Sequence, residues 1–377
     1  MKENVFIAAG ETSGDIHASS LIKNLKSLNP DLEFSGVGGE RMEKLGVDLI
    51  ERMDRHSVVG VWEAVIKILD IRRIYKKIMA SVDKKRPSVA ILIDYPGFNL
   101  VLARGLKKRG IKVIYYITPQ IWAWGGFRIH LIKRYVDKAV VILKFEEELF
   151  RKRGIDSVFV GHPLLDQESQ KPHPDKKALG LAEGKFTIAL LPGSREAEVR
   201  KHLPIMLKTA DAVSKKKSVQ FILLKSSGVP EALYVDIMKG AKLRVSAVKD
   251  DTYGCLFNSD FVFTSSGTAT LESAIMERPM LIIYRTSFFT ALLFKFFART
   301  RFIGLVNIIA KKNVAPEILQ YDAKPGRLAS EILSIILSPD KLKEQLGGLR
   351  EVNSMLGTRG ASLRTARIIE GFIKGQR

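Results

Sequence analysis

Three short stretches carry side chains whose types and placement suit group-transfer chemistry. In "ILIDYPGFNLVLA" (91–103), Asp94 ends an otherwise apolar run, and Pro96 with Gly97 turns the chain directly after it. A carboxylate at a strand's carboxyl end, facing a cleft, suits a general base. A cap on the helix from Phe98 explains the same residue, and the local sequence leaves both readings open. In "LLPGSREAEV" (190–199), Arg195 stands at the corresponding place in the second half of the chain. One well-placed charged donor is worth ~3–4 kcal/mol at a transition state, against ~0.3–2 kcal/mol for a helix dipole. A surface ion pair with Glu196 or Glu198 is the alternative for Arg195.

The third stretch is "FVFTSSGTATLESAI" (261–275), where a strand pattern hands over to a helix through small and hydroxylated residues only. Gly267 and Ala269 admit close approach by a phosphate, and Ser265, Ser266, Thr268 and Thr270 add hydroxyl donors. An ordinary helix cap accounts for one such residue, not for the whole run. Glu272, one turn in, suits ribose hydroxyls better than a phosphate. The expected ligand is a nucleoside diphosphate carrying a sugar. No His/Cys cluster has metal spacing and no Asp-x-Asp pair occurs, so neither a metal nor another cofactor is expected. His17 and His162 read as structural.

Parallel sheets covered by helices must position these loops. Apolar, β-branched runs predict strands at 5–9, 88–94, 112–117, 138–143 and 157–161. A second series is predicted at 186–193, 219–225, 260–264 and 279–284. Between the series, 162–185 has the Pro-rich, charged composition of a linker. At 377 residues and 46% hydrophobic, the chain is expected to form two domains. Neither GxGxxG nor a Walker loop occurs, which removes the main support for a dehydrogenase or P-loop reading. The single Cys255 excludes an intramolecular disulfide framework and fits a reducing compartment. The net charge of +21 favours an anionic partner: nucleic acid, a bilayer surface or a phosphorylated substrate. Against nucleic acid, the aromatics are not interleaved with basic clusters and no recognition motif appears.

The apolar start is too short for a signal-peptide core, and no stretch reaches the ~18 apolar residues of a spanning helix. Residues 58–79, plotted at helical spacing, change face midway. Val58, Val61, Trp62, Val65, Ile66 and Leu69 share one side, which then turns basic through Arg72, Arg73, Lys76 and Lys77. Two readings fit: an interfacial element on an anionic membrane, or two short helices packed differently on the core.

Taken together, "AGETSGDIHA" (9–18), "GVGGERM" (36–42), "IDYPGFN" (93–99) and "TPQIWAWGGFRI" (118–129) resemble the lipid-A-disaccharide synthases. "VGHPLLD" (160–166), "LPGSREAEV" (191–199), "SSGTATLES" (265–273) and "VNIIA" (306–310) extend the resemblance over the whole chain. Gly125 departs from it, since relatives often carry a basic residue after "WAW". The resemblance implies an α/β GT-B fold, two Rossmann-like βα domains with a cleft between them. It places an acceptor and membrane-facing domain at 1–165, a donor domain at 166–345, and a helix at 346–377 returning to the first domain. It implies inverting transfer from UDP-2,3-diacylglucosamine to 2,3-diacylglucosamine 1-phosphate, giving the tetraacyl lipid A disaccharide 1-phosphate and UDP. Asp94 would be the base and Arg195 would assist the leaving UDP. Gly193, Ser194, Arg195, Ser266, Gly267, Thr268, Ala269, Thr270, Glu272 and Asn307 would line the donor site, with Ser13 and Gly14 near the acceptor. Metal-independent chemistry on the cytosolic face of the inner membrane is also implied, and a homodimer is left open. The rival readings are a UDP-sugar epimerase or peptidoglycan glycosyltransferase of the same fold, a nucleic-acid-binding protein, and a non-catalytic lipid-binding module.

Overall fold

A computed structural model of the chain describes residues 3–10, 12–52, 61–122, 126–167, 173–241, 243–285 and 301–375, with backbone alone at 12 and 61–70. It divides into two units, Met1–Gln167 with Leu356–Arg377, and Glu168–Met355.

The first unit is built on strands β1 (Asn4–Ala9), β2 (Glu33–Gly38), β3 (Asp48–Arg52), β4 (Val89–Ile93), β5 (Lys112–Tyr116), β6 (Lys138–Val141) and β7 (Ser157–Phe159). They form a parallel sheet in the order β3-β2-β1-β4-β5-β6-β7. Connecting them are helices α1 (Thr12–Leu28), α2 (Glu40–Lys44), α3 (Val61–Lys85), α4 (Pro96–Lys107), α5 (Arg128–Tyr135) and α6 (Lys144–Arg151), with the short α7 (Leu164–Gln167) after β7. β4 is buried throughout and β1 from its second residue, as expected for strands covered on both faces. Such strands spell continuous apolar runs, which made them visible in the sequence. β2 and β3 were not anticipated. "EFSGVG" is interrupted by Ser35 and two glycines, and "DLIER" is an edge strand with charged ends. Gly36 is required because a Cβ there would collide with the carbonyl oxygen of Ile7 on β1.

In the second unit run β8 (Phe186–Leu191), α8 (Glu196–Ser214), β9 (Val219–Lys225), α9 (Glu231–Lys239), β10 (Val245–Lys249), α10 (Thr252–Phe257), β11 (Phe261–Ser265), α11 (Ala269–Ile275) and β12 (Met280–Tyr284). There follow α12 (Leu305–Ala310), β13 (Glu317–Leu319), α13 (Pro325–Ile336) and α14 (Pro339–Met355). The sheet order is β10-β9-β8-β11-β12-β13, again parallel. β10 and β13 are edge strands, one half-exposed and one of three residues, too weak in pattern to be seen beforehand.

Two expected boundaries need correction. The second unit extends to Met355 rather than to residue 345. Residues 346–355 continue α14, whose Leu349 and Val352 are fully buried, and Gln345 bonds the Met280 and Val314 backbones. The described residues of the expected linker 162–185, namely 162–167 and 173–185, are anchored by contacts. Its first six residues belong to the first unit, while the Pro174 carbonyl accepts from Asn258 and His173 stacks on Phe257.

The closing helix α15 (Ala361–Ile373) packs along α1 in the first unit. Asp166 caps it, accepting the N–H groups of Gly360 at 2.6 Å and Ser362 at 3.3 Å. Gly360 there has a φ of +94°, which glycine tolerates. Arg364 returns a bond to the Val160 carbonyl at 2.8 Å. The "VGHPLLD" segment is therefore the seat of the last helix. Beneath it His17 and His162 are held mainly neutral. Burial depresses His17 to about 4 against the pull of Asp166, and burial then the His17 charge depress His162 to about 3.

The unfolded chain, with ordinary histidines near 6.5, binds more protons than the folded one below that value. Stability of the first unit is therefore full above about pH 6.5 and falls as the pH drops toward 4, by on the order of 3 kcal/mol for each of the two histidines. Urea denaturation at pH 7, 6, 5 and 4 checks this, and a His17→Phe/His162→Phe variant is expected to flatten the profile.

Candidate functional site

Each sheet reverses its strand order between two adjacent strands, β1 and β4 in the first unit, β8 and β11 in the second. In open parallel sheets ligands bind at the carboxyl ends of the strands beside this reversal. All three chemically suggestive stretches, together with "AGETSGD", leave the carboxyl ends of these four strands.

In the first unit, Asp94 follows β4 with φ +49° and Tyr95 follows with φ +47°. Two consecutive non-glycine residues in the left-handed region cost on the order of 1–2 kcal/mol each. Three bonds compensate. The Asp94 carbonyl accepts from the Tyr115 hydroxyl and from Asn99 Nδ2, both at 2.7 Å, and Asn99 also donates to the Ile93 carbonyl at 3.0 Å. Tyr115 is protonated over the whole working range, because burial and then the Asp94 charge raise its pKa well above normal. The residue in the helix-capping position of α4 is Tyr95, not Asp94, so the capping reading of Asp94 gives way. The carboxylate is half-buried on a backbone that leaves it little freedom.

The loop after β1 fits against this turn. A Cβ at Gly10 would collide with the Tyr95 ring, and Gly14 packs against Ala9. Ser13 is exposed at the start of α1. The expected acceptor residues Ser13 and Gly14 and the expected base Asp94 thus share one sheet edge. Asp15, which sequence reasoning passed over, is buried and accepts the N–H groups of Gly39 (3.0 Å), Arg41 (3.0 Å) and Met42 (3.2 Å). It ties "GETSGD" to "GVGGERM". Glu146 was also missed. Buried on α6, it accepts Trp122 Nε1–H at 2.9 Å and the Leu143 N–H at 3.3 Å, and burial raises its pKa to about 7. Gly125, the departure noted above, lies outside the described residues.

In the second unit, the turn at 193–195 wraps a carboxylate of its own helix. Glu198 accepts the amides of Ser194 (3.1 Å) and Arg195 (3.3 Å), and a Cβ at Gly193, where φ is +120°, would collide with it. Of the residues expected to line the donor site, Ser194 gives its amide to the turn and Gly193 makes room for Glu198. The Arg195 side chain is 72% exposed and only 4.0 Å from Glu198, while Glu196 pairs with Arg200 at 2.7 Å. Neither ion pair expected of Arg195 is a close one.

The small-residue loop keeps fewer free donors than its sequence suggested. Ser266 donates to the Ile303 carbonyl (3.0 Å), Thr270 to that of Gly267 (2.8 Å) and Ser273 to that of Ala269 (2.8 Å). Short hydroxyl side chains near a helix start readily bond local carbonyls. Thr268 is exposed, and among the described residues the amides of Gly267, Thr268 and Ala269 have no partner. None of the described residues stands within 4 Å of a Cβ built on Gly267. Glu272 is half-buried with its carboxyl withdrawn from solvent, which raises its pKa to about 7. Asn307 is corrected as a direct ligand. Wholly buried, its amide donates to the Ala315 carbonyl and to Glu317 at 2.7 Å, and its oxygen accepts from Val314 and Ala315. Glu317 in turn accepts from the Ile303 and Gly304 amides, and the Ile303 carbonyl holds Ser266. Asn307 acts on the loop through that chain.

Of the expected membrane residues, Val58 lies outside the described residues, as do the side chains of Val61, Trp62, Val65, Ile66 and Leu69. α3 is one continuous helix, so the reading of two short helices is set aside. Arg72, Arg73, Lys76 and Lys77 are exposed, Lys77 pairing with Glu51 at 2.9 Å, while Ile74, Ile78, Met79 and Val82 enter the core. No described helix is long and apolar enough to cross a membrane, and the described residues hold no metal-binding group of three His, Cys, Asp or Glu.

Two reversed parallel sheets, each with its special loops at the reversal, define the GT-B class shared by glycosyltransferases and UDP-sugar epimerases. The fold resembles a UDP-GlcNAc 2-epimerase from Neisseria meningitidis (TM-score 0.65, 10% identity, 99% of this chain and all of that one). It also resembles a calicheamicin glycosyltransferase (TM-score 0.62, 12% identity, 99% of each chain). Residues 5–366 match the lipid-A-disaccharide synthetase family, and the chain belongs to it. Among its relatives is the lipid-A-disaccharide synthase of Syntrophus aciditrophicus (strain SB), 41% identical over 374 residues and 98% of each chain.

Asn99→Ala leaves the Ile93 and Asp94 carbonyls short of a donor and releases the strained turn. It is expected to cost about 1–3 kcal/mol of stability and to lower kcat far more than it raises KM, checked by thermal unfolding beside steady-state kinetics.

Proposed function

We propose that this enzyme joins UDP-2,3-diacylglucosamine to 2,3-diacylglucosamine 1-phosphate, releasing UDP and inverting the anomeric centre. The observation that carries the reading is the family match over 5–366, combined with a carboxylate and a cation each at the reversal point of its own sheet. Asp94 takes the proton of the acceptor's 6-hydroxyl as that oxygen bonds the anomeric carbon of the donor. The bond from that carbon to the UDP oxygen breaks, and UDP departs with the electron pair. Arg195 and the free amides at 267–269 receive the negative charge that develops. Thr268 adds a hydroxyl, and Glu272 accepts from the ribose. Cationic and amide donors do what a divalent ion does in metal-dependent transferases, so turnover is proposed to need no metal.

A general base contributes roughly 10²–10⁴-fold and one charged donor ~3–4 kcal/mol. Asp94→Asn and Arg195→Ala are therefore expected to lower kcat by at least about 10²-fold each with the fold intact. Mass spectrometry of a detergent assay holding both acylated sugars should find the disaccharide 1-phosphate forming with wild type and at least about 10²-fold more slowly with either variant, and EDTA should leave the wild-type rate unchanged. Near-normal turnover by either variant removes that residue from its role.

The acylated substrates reside in a bilayer, and we propose that α3 seats the first unit on the anionic cytosolic face of the inner membrane. Its exposed row of Arg72, Arg73 and Lys76 supports this, each worth about 1 kcal/mol near an anionic surface. Arg72→Gln/Arg73→Gln/Lys76→Gln is expected to weaken binding to anionic liposomes by roughly 10²-fold at low salt. Val61→Asp/Trp62→Asp/Ile66→Asp should abolish the salt-resistant fraction. Equal sedimentation of wild type and both variants would count against the seat.

A further inference from the structure

His202 lies on the second turn of α8 and is wholly buried, with no part in the chemistry above. Its ring bridges two backbones. Nε2 accepts the Arg285 N–H at 3.0 Å, and Nδ1 is 2.9 Å from the Pro192 carbonyl. An acceptor at Nε2 and a carbonyl at Nδ1 select one form of the ring: neutral, with its proton on Nδ1. Burial favours the same form by depressing the pKa, opposed by the two backbone bonds and Glu198 and assisted by Lys201. The Tyr284 ring packs 6.0 Å away, tilted by 42°.

The two partners are not neighbours in the sheet. Pro192 follows β8 and Arg285 follows β12, and β11 runs between those strands. The small-residue loop leaves the end of β11. Pro192 also directly precedes the turn that carries Arg195. A single imidazole therefore spans the loop proposed to hold the diphosphate and fastens the chain on both sides of it.

We propose that His202 is a positioning residue for donor binding: a neutral strap that fixes the Arg195 turn and the chain after β12 on either side of residues 265–270. The proposal rests on the donor reading above. Glutamine carries one donor and one acceptor, like a neutral imidazole. Asparagine is short enough to serve Pro192 alone, and leucine serves neither partner.

The test measures UDP binding by titration calorimetry and amide hydrogen exchange at Ser194, Arg195 and Arg285 in His202→Gln, His202→Asn and His202→Leu, with the fold checked by circular dichroism. His202→Leu is expected to weaken UDP binding at least tenfold and to speed exchange at Arg285 and the 193–195 turn. His202→Gln should stay within threefold of wild type in both. His202→Asn should fall between, with fast exchange at Arg285 and a protected turn. In turnover, the donor KM should follow the UDP affinity while the acceptor KM stays put. A folded His202→Leu that binds UDP like wild type overturns the strap, and so does a wild-type-like His202→Asn should the leucine variant not fold. Gly267→Trp separates the two ideas. If it leaves UDP binding intact, the donor reading has failed; if it abolishes binding while His202→Leu does not, the strap alone has failed.

Discussion

Where two adjacent parallel strands send their chains to opposite sides of a sheet, the loops leaving them part and open a gap that no side chain need fill. The pairings β1 with β4 and β8 with β11 create this gap once in each unit, with Ala9 beside Ile93 and Thr264 beside Leu191. Every residue given a chemical role lies within eight positions of those pairs. A one-residue slip in either register would turn alternate side chains to the opposite face and carry Asp94 or the 265–270 loop away from its place. The strands are buried on both faces, so such a slip would also expose core residues, and the site inherits its precision from the core.

Carboxylates bound by backbone amides give the loops around these gaps their shape. Asp15 holds 39–42, Glu198 holds 194–195, Asp166 starts α15 and Glu317 holds 303–304. A loop closed on an internal anion keeps its form before any substrate arrives, so binding need not pay for ordering it. The arrangement also limits function. Amides engaged by Glu198 are unavailable to a phosphate, which leaves the exposed Arg195 guanidinium as the contribution of that turn. In the neighbouring loop the amides of 267–269 have no partner among the described residues, and these are the ones proposed to meet the diphosphate.

Legibility followed burial and locality. The central strands were readable because two buried faces spell unbroken apolar runs, and Asp94 stood out because it ended one. β2 and β10 were not, since glycine, serine and half-exposed positions erase the pattern. Side-chain roles depended on partners distant in sequence. Asn307 looked like a ligand in "VNIIA", yet its amide saturates on residues 314–317, a fact of tertiary placement. Ser266 and Thr270 offered hydroxyls that turned to nearby carbonyls. His202 carried no signal at all, because its partners are carbonyl and amide groups that any residue possesses. Asp15 is the opposite case: its acidity within "GETSGD" was visible, but its three amides lie more than twenty residues away.

Glu272 poses the sharpest electrostatic question in the proposed donor site, since a carboxylate beside a diphosphate should repel it. Burial answers it in part. With the carboxyl withdrawn from water and its pKa raised to about 7, a large share of molecules at neutral pH carry it protonated. An incoming diphosphate would raise that pKa further, because a second negative charge disfavours ionisation. The protonated carboxyl keeps one acceptor oxygen and gains a donor, so it can still engage two ribose hydroxyls. In the proposed donor site the protonated acid would offer recognition without the repulsion that its sequence position, one turn into α11, implied.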